Sequence, residues 1–193
     1  MGGRRRPARP AAPRNGHDDE LAASDPAVLA RAICLRLLTG SPRTRVQLAD
    51  ALRRRGIPED AAADVLDRYA EVGLVDDAAF AGAWVQSRHT GRGLARRALS
   101  HELRQRGVAE LLVAEAVAGV DDEDELRTAS RLAGRRLAST VGGPTDVRIR
   151  RTAAFLARRG YSGGVATQAI RAALSAEDES EEDVRGRCPP DMP

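Results

Sequence analysis

The chain has 193 residues, a formal net charge of +3 and 31 cationic side chains, all of them arginine. Hydrophobic residues make up 42% but aromatics only 3%, so any core is built from Leu, Val and Ala rather than around large rings. No run approaches the roughly 18 consecutive apolar residues of a membrane-spanning helix, the two cysteines make no disulfide framework, and the Arg-rich start lacks the apolar segment of a secretory signal. A soluble cytoplasmic protein is expected.

Charge is unevenly placed. Residues 1–20 carry five Arg against three acids, residues 175–193 carry two against seven, and the stretch between them carries 24 against 18. A basic body with an acidic end commonly marks polyanion contact or an interaction tail. Residues 1–24 are rich in Arg, Pro and Ala without periodicity, and a disordered arm is expected there.

Order begins at Asp25-Pro26, a helix cap followed by Pro at the first helical position. Leu29, Ile33 and Leu37 carry the apolar face as far as Gly40-Ser41-Pro42. A second helix opens at Thr44, which with Gln47 forms a Thr-x-x-Gln capping box. Leu48, Ala49 and Leu52 are its buried stripe, and Arg53-Arg54-Arg55 meets the negative end of its dipole. Gly56-Ile57 reads as a Schellman stop, with Gly in the left-handed position. Pro58-Glu59-Asp60 starts a third helix, whose apolar positions Ala62, Val65, Leu66, Tyr69 and Val72 end at Gly73.

The same plan then recurs. At an offset of 51 residues, Asp25 matches Asp76, Thr39-Gly40 matches Thr90-Gly91, Leu48 and Leu52 match Leu99 and Leu103, and Arg55-Gly56-Ile57 matches Arg106-Gly107-Val108. A looser third copy places Leu156 and Arg159-Gly160-Tyr161 at an offset of 53. Helices are expected over 77–88, 94–106 and 109–118 in the second copy, and over 122–138, 146–159 and 162–174 in the third. Gly163-Gly164 should weaken the start of the last helix. Units of about fifty residues exceed tetratricopeptide, ankyrin and HEAT repeats. The expected fold is therefore all-α: a tandem array of three three-helix repeats, about nine helices, elongated and curved. Its divisions are residues 25–75, 76–120 and 121–174, flanked by the arm 1–24 and a disordered acidic tail 175–193.

Catalytic constellations are absent. Asp76-Asp77 and Asp121-Asp122 stand where helices begin and read as caps. His89 and His101 have no Cys or acid cluster at ligand spacing, so no metal is expected. Gly91-Arg92-Gly93 lacks the strand, third Gly and Lys of a phosphate loop. The chain reads as a non-enzyme without cofactor. What remains is arginine: Arg88, Arg92, Arg96 and Arg97 crowd one interhelix turn, where planar forks suit carboxylates or phosphates of a large partner. Arg104 and Arg151 lie on or beside the second helices of their units, and with those four they are the partner-binding candidates. Arg106, Arg158 and Arg159 read as complements to helix C-termini.

The pattern Asp76-Asp77-x-x-Phe80-Ala81-x-x-Trp84-Val85-x-x-Arg88, Gly91-x-Gly93, Leu99-x-x-Glu102-Leu103-x-x-Arg106-Gly107-Val108 resembles the central signature of the RecX regulatory proteins. The resemblance covers about residues 25–174 and implies a modulator of the bacterial recombinase RecA. Members lodge in the groove of the RecA–single-stranded-DNA filament and oppose strand exchange and ATP hydrolysis, which places the chain in recombination, repair and the SOS response. It implies the RecA filament as partner; weak contact with single- or double-stranded DNA, no membrane and a monomer are further expectations for the chain. The third unit departs from the pattern with its Gly-rich entry and longer loop. A helical protein acting directly on DNA, and a scaffold for an unrelated partner, are the competing readings.

Overall fold

The computed structural model describes residues 25–186. Among these the chain forms nine helices and no strand. They are α1 (Pro26–Gly40), α2 (Arg45–Arg53), α3 (Glu59–Glu71), α4 (Asp77–Arg92), α5 (Arg96–Gln105), α6 (Glu110–Ala118), α7 (Asp122–Ala138), α8 (Thr145–Arg158) and α9 (Gly163–Gly186). The N-terminal arm expected over residues 1–24 lies outside the described residues, as do residues 187–193.

Local chemistry sets the helix starts. Asp25, Asp76 and Asp121 accept the backbone N–H groups of Ala27, Ala79 and Asp124 at 3.0, 2.8 and 2.7 Å. The capping box closes in both directions: Gln47 N–H donates to Thr44 Oγ1 at 3.2 Å, and Thr44 N–H donates to Gln47 Oε1 at 3.3 Å. At α9, Ser162 Oγ accepts from Val165 N–H at 3.2 Å, which holds the Gly163-Gly164 turn. Two ends differ from the sequence expectation. Helix α4 does not stop at Arg88 but continues through Gly91 to Arg92, so Arg88 and Arg92 sit on the last turns of α4 while Arg96 and Arg97 open α5. Helix α9 continues past Leu174 to Gly186. The acidic stretch is tied back there by Glu177, which accepts from Arg148 Nη2 at 2.7 and 2.9 Å.

The helices gather into two compact units. The first comprises the described residues up to Pro42 together with Leu48–Leu74. Ile33, Cys34, Leu52, Val65, Leu66 and Tyr69 are buried in it. Tyr69 Oη donates to Arg31 O at 3.3 Å, and Arg55 donates from Nη1 to Ala51 O at 2.9 Å. Burial pushes both the Cys34 thiol and the Tyr69 phenol above their ordinary pKa values.

The second unit comprises Arg43–Gln47 and everything from Val75 onward. One apolar cluster joins Ala81, Val85, Leu99, Leu103, Val108, Val113 and Val117. Another joins Ala129, Ala133, Leu137, Leu156, Tyr161, Ala169 and Ile170, and includes Ala95 from the start of α5. The repeat landmarks are the deepest residues: Leu48, Leu52, Leu99, Leu103 and Leu156 are all 0% exposed. At the offset of the third copy, Thr152 stands where Leu99 stands in the second, and it too is buried, with its hydroxyl unpartnered.

Within this unit one joint is used twice. Ala95 N–H donates to Arg159 O at 2.9 Å, and a Cβ on Gly160 would stand 2.7 Å from Ala98 N. One repeat earlier, Thr44 Oγ1 donates to Arg106 O at 2.6 Å, and a Cβ on Gly107 would stand 2.5 Å from the Val46 side chain. The Arg-Gly-apolar turn is thus more than a helix terminator. Its glycine also lets the start of a neighbouring helix come against the backbone.

Candidate partner-binding surface

The first helix of the central repeat builds a cation–aromatic stack. Phe80 and Trp84, one turn apart on α4, stack with ring centroids 5.8 Å apart. Arg88 and Arg106 place their guanidinium carbons 4.1 and 3.6 Å from the centroid of the Trp84 ring. The indole N–H donates to Glu102 Oε2 at 2.8 Å, and Arg88 pairs with the same oxygen at 3.7 Å. Arg106 also donates to Glu102 O at 2.8 Å, the counterpart of Arg55 on Ala51 in the first repeat. Burial pulls the Arg106 pKa below its ordinary value, against the raising influence of Glu102.

The six candidate arginines therefore separate into two groups. Arg88 is committed to Trp84 and Glu102. Arg96 is committed to repeat three: its backbone N–H donates to Glu125 Oε1 at 2.8 Å, its Nε to Glu125 Oε2 at 3.2 Å, and its Nη2 also binds Asp122. Hydrogen bonding to Asp122, followed by the charge of Glu125, holds its pKa above the ordinary value. Arg104 forms a fork with Glu110, Nε to Oε2 at 2.8 Å. These three are bound within the fold. Arg92, Arg97 and Arg151 are exposed, and their guanidinium groups have no carboxylate partner among the described residues.

Arg92 joins residues that the sequence pattern did not single out. With Arg131, Arg135 and Arg159 it lines an open concavity of about 490 Å³ floored by Leu94 and Leu132. Arg131 and Arg135 are one turn apart on α7, a spacing visible in the sequence, but nothing in the sequence places them beside Arg92. Arg159, expected to complement a helix end, donates from Nε to Arg92 O at 3.2 Å and lies 3.8 Å over the Phe155 ring.

His89 and His101 take interhelix and surface roles. His89 Nδ1 lies 2.9 Å from Leu94 O and its Nε2 lies 3.2 Å from Thr128 Oγ1. A proton on Nδ1 lets the ring donate to Leu94 O. His101 is exposed beside Gln105. Among the described residues no group of three His, Cys, Asp or Glu side chains is placed to hold a metal ion. No described helix is long and apolar enough to cross a membrane.

Three family models match the chain in tandem: RecX first three-helix domain over residues 30–68, second three-helix domain over 76–117, and third three-helix domain over 122–170. The chain belongs to the RecX family. A Regulatory protein RecX of Thermobifida fusca is 63% identical over 148 residues, covering 77% of this chain and 80% of that one. The Streptomyces lividans Regulatory protein RecX is 59% identical over 158 residues, covering 82% and 84%. The Mycobacterium tuberculosis Regulatory protein RecX is 46% identical over 154 residues, covering 78% and 88%. A crystal structure of RecX from Lactobacillus salivarius superposes with a TM-score of 0.71, covering 78% of this chain and 97% of that one. Its 17% identity makes it a likeness of fold. The Trp84 stack lies inside the second RecX domain, and the arginine concavity lies where the second and third RecX domains meet.

Proposed function

We propose that this RecX-family chain binds the RecA nucleoprotein filament and lowers RecA recombinase and ATPase activity during recombination, repair and the SOS response. The observation that carries the reading is the tandem match of three RecX domains to regulatory relatives that cover most of the chain. The role is non-catalytic and cytoplasmic, exerted by a monomer without cofactor, and the ATP consumed belongs to RecA. Arg92, Arg97 and Arg151 are the members of the original candidate set left free to meet a partner, whereas Arg88, Arg96 and Arg104 hold the fold. Occupation of the filament groove by a helical body would exclude incoming duplex DNA.

Titration of the chain into a DNA-dependent RecA ATPase assay tests this. Turnover should fall in a saturable, dose-dependent way. Undiminished turnover and strand exchange at saturating protein would refute the reading. Direct action on DNA is the second reading, favoured by the unpaired arginines around Arg92. It requires tight binding to naked DNA at physiological salt with RecA untouched.

A further inference from the structure

Four arginines line the concavity between the second and third repeats, Arg92, Arg135 and Arg159 at helix C-termini and Arg131 one turn before Arg135, and no carboxylate lines it. The ordinary explanation for arginines at helix C-termini is compensation of the dipole and of the orphan carbonyls. Neither accounts for the four here, since Arg131 lies inside α7 and not at its end. Three helix ends contribute roughly −0.5 charge each, about −1.5 against four positive charges. The carbonyls are also largely taken. Those of Arg88 and His89 accept from Leu94 N–H and Gly93 N–H, and that of Arg159 accepts from Ala95 N–H. The carbonyl of Gly93 accepts from Tyr161 Oη at 3.1 Å, and that of Leu94 lies against His89. At the end of α7, the carbonyls of Arg135 and Leu137 accept from Ser139 N–H and Thr140 N–H.

Arg92, Arg131 and Arg135 are thus left with no carboxylate partner among the described residues. Arg159 is fixed by Phe155 and by Arg92 O through Nε, which leaves its Nη groups open. Like charges gathered in a concavity repel one another and focus a positive potential, an arrangement that an anion relieves. A planar carboxylate offers two oxygens and suits one or two forks, whereas tetrahedral phosphate oxygens accept from several directions at once. We propose that this concavity at the join of the second and third repeats is a phosphate-binding site, taking a backbone phosphate of a nucleic-acid strand or the phosphate chain of a free nucleotide. It goes beyond regulation of RecA and does not require it.

The test uses the full chain, a labelled oligo(dT) strand, pyrophosphate as a free competitor and poly-glutamate as the carboxylate comparison. Arg131→Ala/Arg135→Ala is set beside Arg36→Ala/Arg171→Ala, two exposed arginines of the same total charge outside the concavity. Each phosphate contact on a single strand contributes about 0.7 to the slope of log K against log salt. The first variant should therefore lose about 1.4 of that slope and roughly tenfold or more in affinity at 0.1 M salt, with the second unchanged. Both should keep the parent melting temperature. Displacement of the strand by millimolar pyrophosphate supports a site for any phosphate chain. Strand binding that resists pyrophosphate but still needs Arg131 and Arg135 supports a backbone site. Equal losses in the two variants, poly-glutamate binding with the same dependence, or no binding of strand or pyrophosphate would each overturn it. Because RecA is absent from the assay, failure here leaves the ATPase titration to judge the regulatory reading by itself.

Discussion

Glu125 receives Arg96 three times, accepting the backbone N–H at 2.8 Å, the side-chain Nε at 3.2 Å and Nη2 at 3.1 Å, and so caps α5 from the first turn of α7. The Glu125 side chain is 10% exposed and that of Arg96 is 37% exposed, a pair sheltered on one side only. Arg96→Ala should cost about 1–2 kcal/mol, because it strips a charged partner from a nearly buried carboxylate while solvent screens part of the loss. Arg97→Ala, one residue on and exposed, should change stability by less than about 0.5 kcal/mol. Urea denaturation of both variants checks the contrast. Equal midpoints would mean that the pair is solvated.

The three Arg-Gly turns should differ in their tolerance of a side chain. Gly56 and Gly160 both have positive φ, at 74° and 89°, but a Cβ on Gly56 meets nothing within 4 Å. Gly56→Ala should cost about 1–2 kcal/mol from left-handed strain alone. Gly160→Ala adds collision with Ala98 and should cost a further 1–3 kcal/mol or so. Melting of the two variants under identical conditions should therefore give a clearly lower Tm for Gly160→Ala.

Thr152 offers the opposite outcome. It is 1% exposed, and its Oγ1 has no hydrogen-bond partner. Burying an unsatisfied hydroxyl costs on the order of 1–3 kcal/mol. Thr152→Val keeps the shape and removes that oxygen, so it should raise stability by about 1 kcal/mol or more. A denaturant midpoint unchanged or lowered would indicate that the hydroxyl is satisfied in solution.

Tyr161 should give the second unit an alkaline limit. Burial, reinforced by the Glu125 charge, raises its phenol pKa from 10.0 to about 12. The unfolded chain therefore loses this proton first as pH rises. The stabilisation is whole below about pH 10 and disappears as pH rises towards 12, up to roughly 2–3 kcal/mol in all. Tyr161→Phe should flatten that part of the stability–pH curve without abolishing it, since the Tyr69 phenol is also raised. Denaturation series between pH 9 and 12 would show the difference.

Regulation should depend on the free arginines and only indirectly on the committed ones. Arg97→Ala/Arg151→Ala should raise the concentration of protein needed for half-maximal RecA inhibition several-fold with helicity and Tm unchanged. Circular dichroism and the ATPase titration measured on the same preparations check this. Unaltered inhibition would return both side chains to the solvated surface.

The chain by itself determined what depends on neighbours a few residues away. Asp25, Asp76 and Asp121 cap helices, Thr44 and Gln47 close their box, and the repeated leucines are buried, because caps and helical faces are set within one or two turns. The signature from Asp76 to Val108 likewise carried the family, which the domain matches then established. Only the tertiary structure decided the fate of each arginine. Arg96 finds Glu125 across 29 positions, Arg104 closes on Glu110, and Arg92 comes to lie with Arg131, Arg135 and Arg159. A guanidinium on a long flexible stem takes its partner from whichever helix packs beside it, and the spacing of residues along one helix does not encode that neighbour.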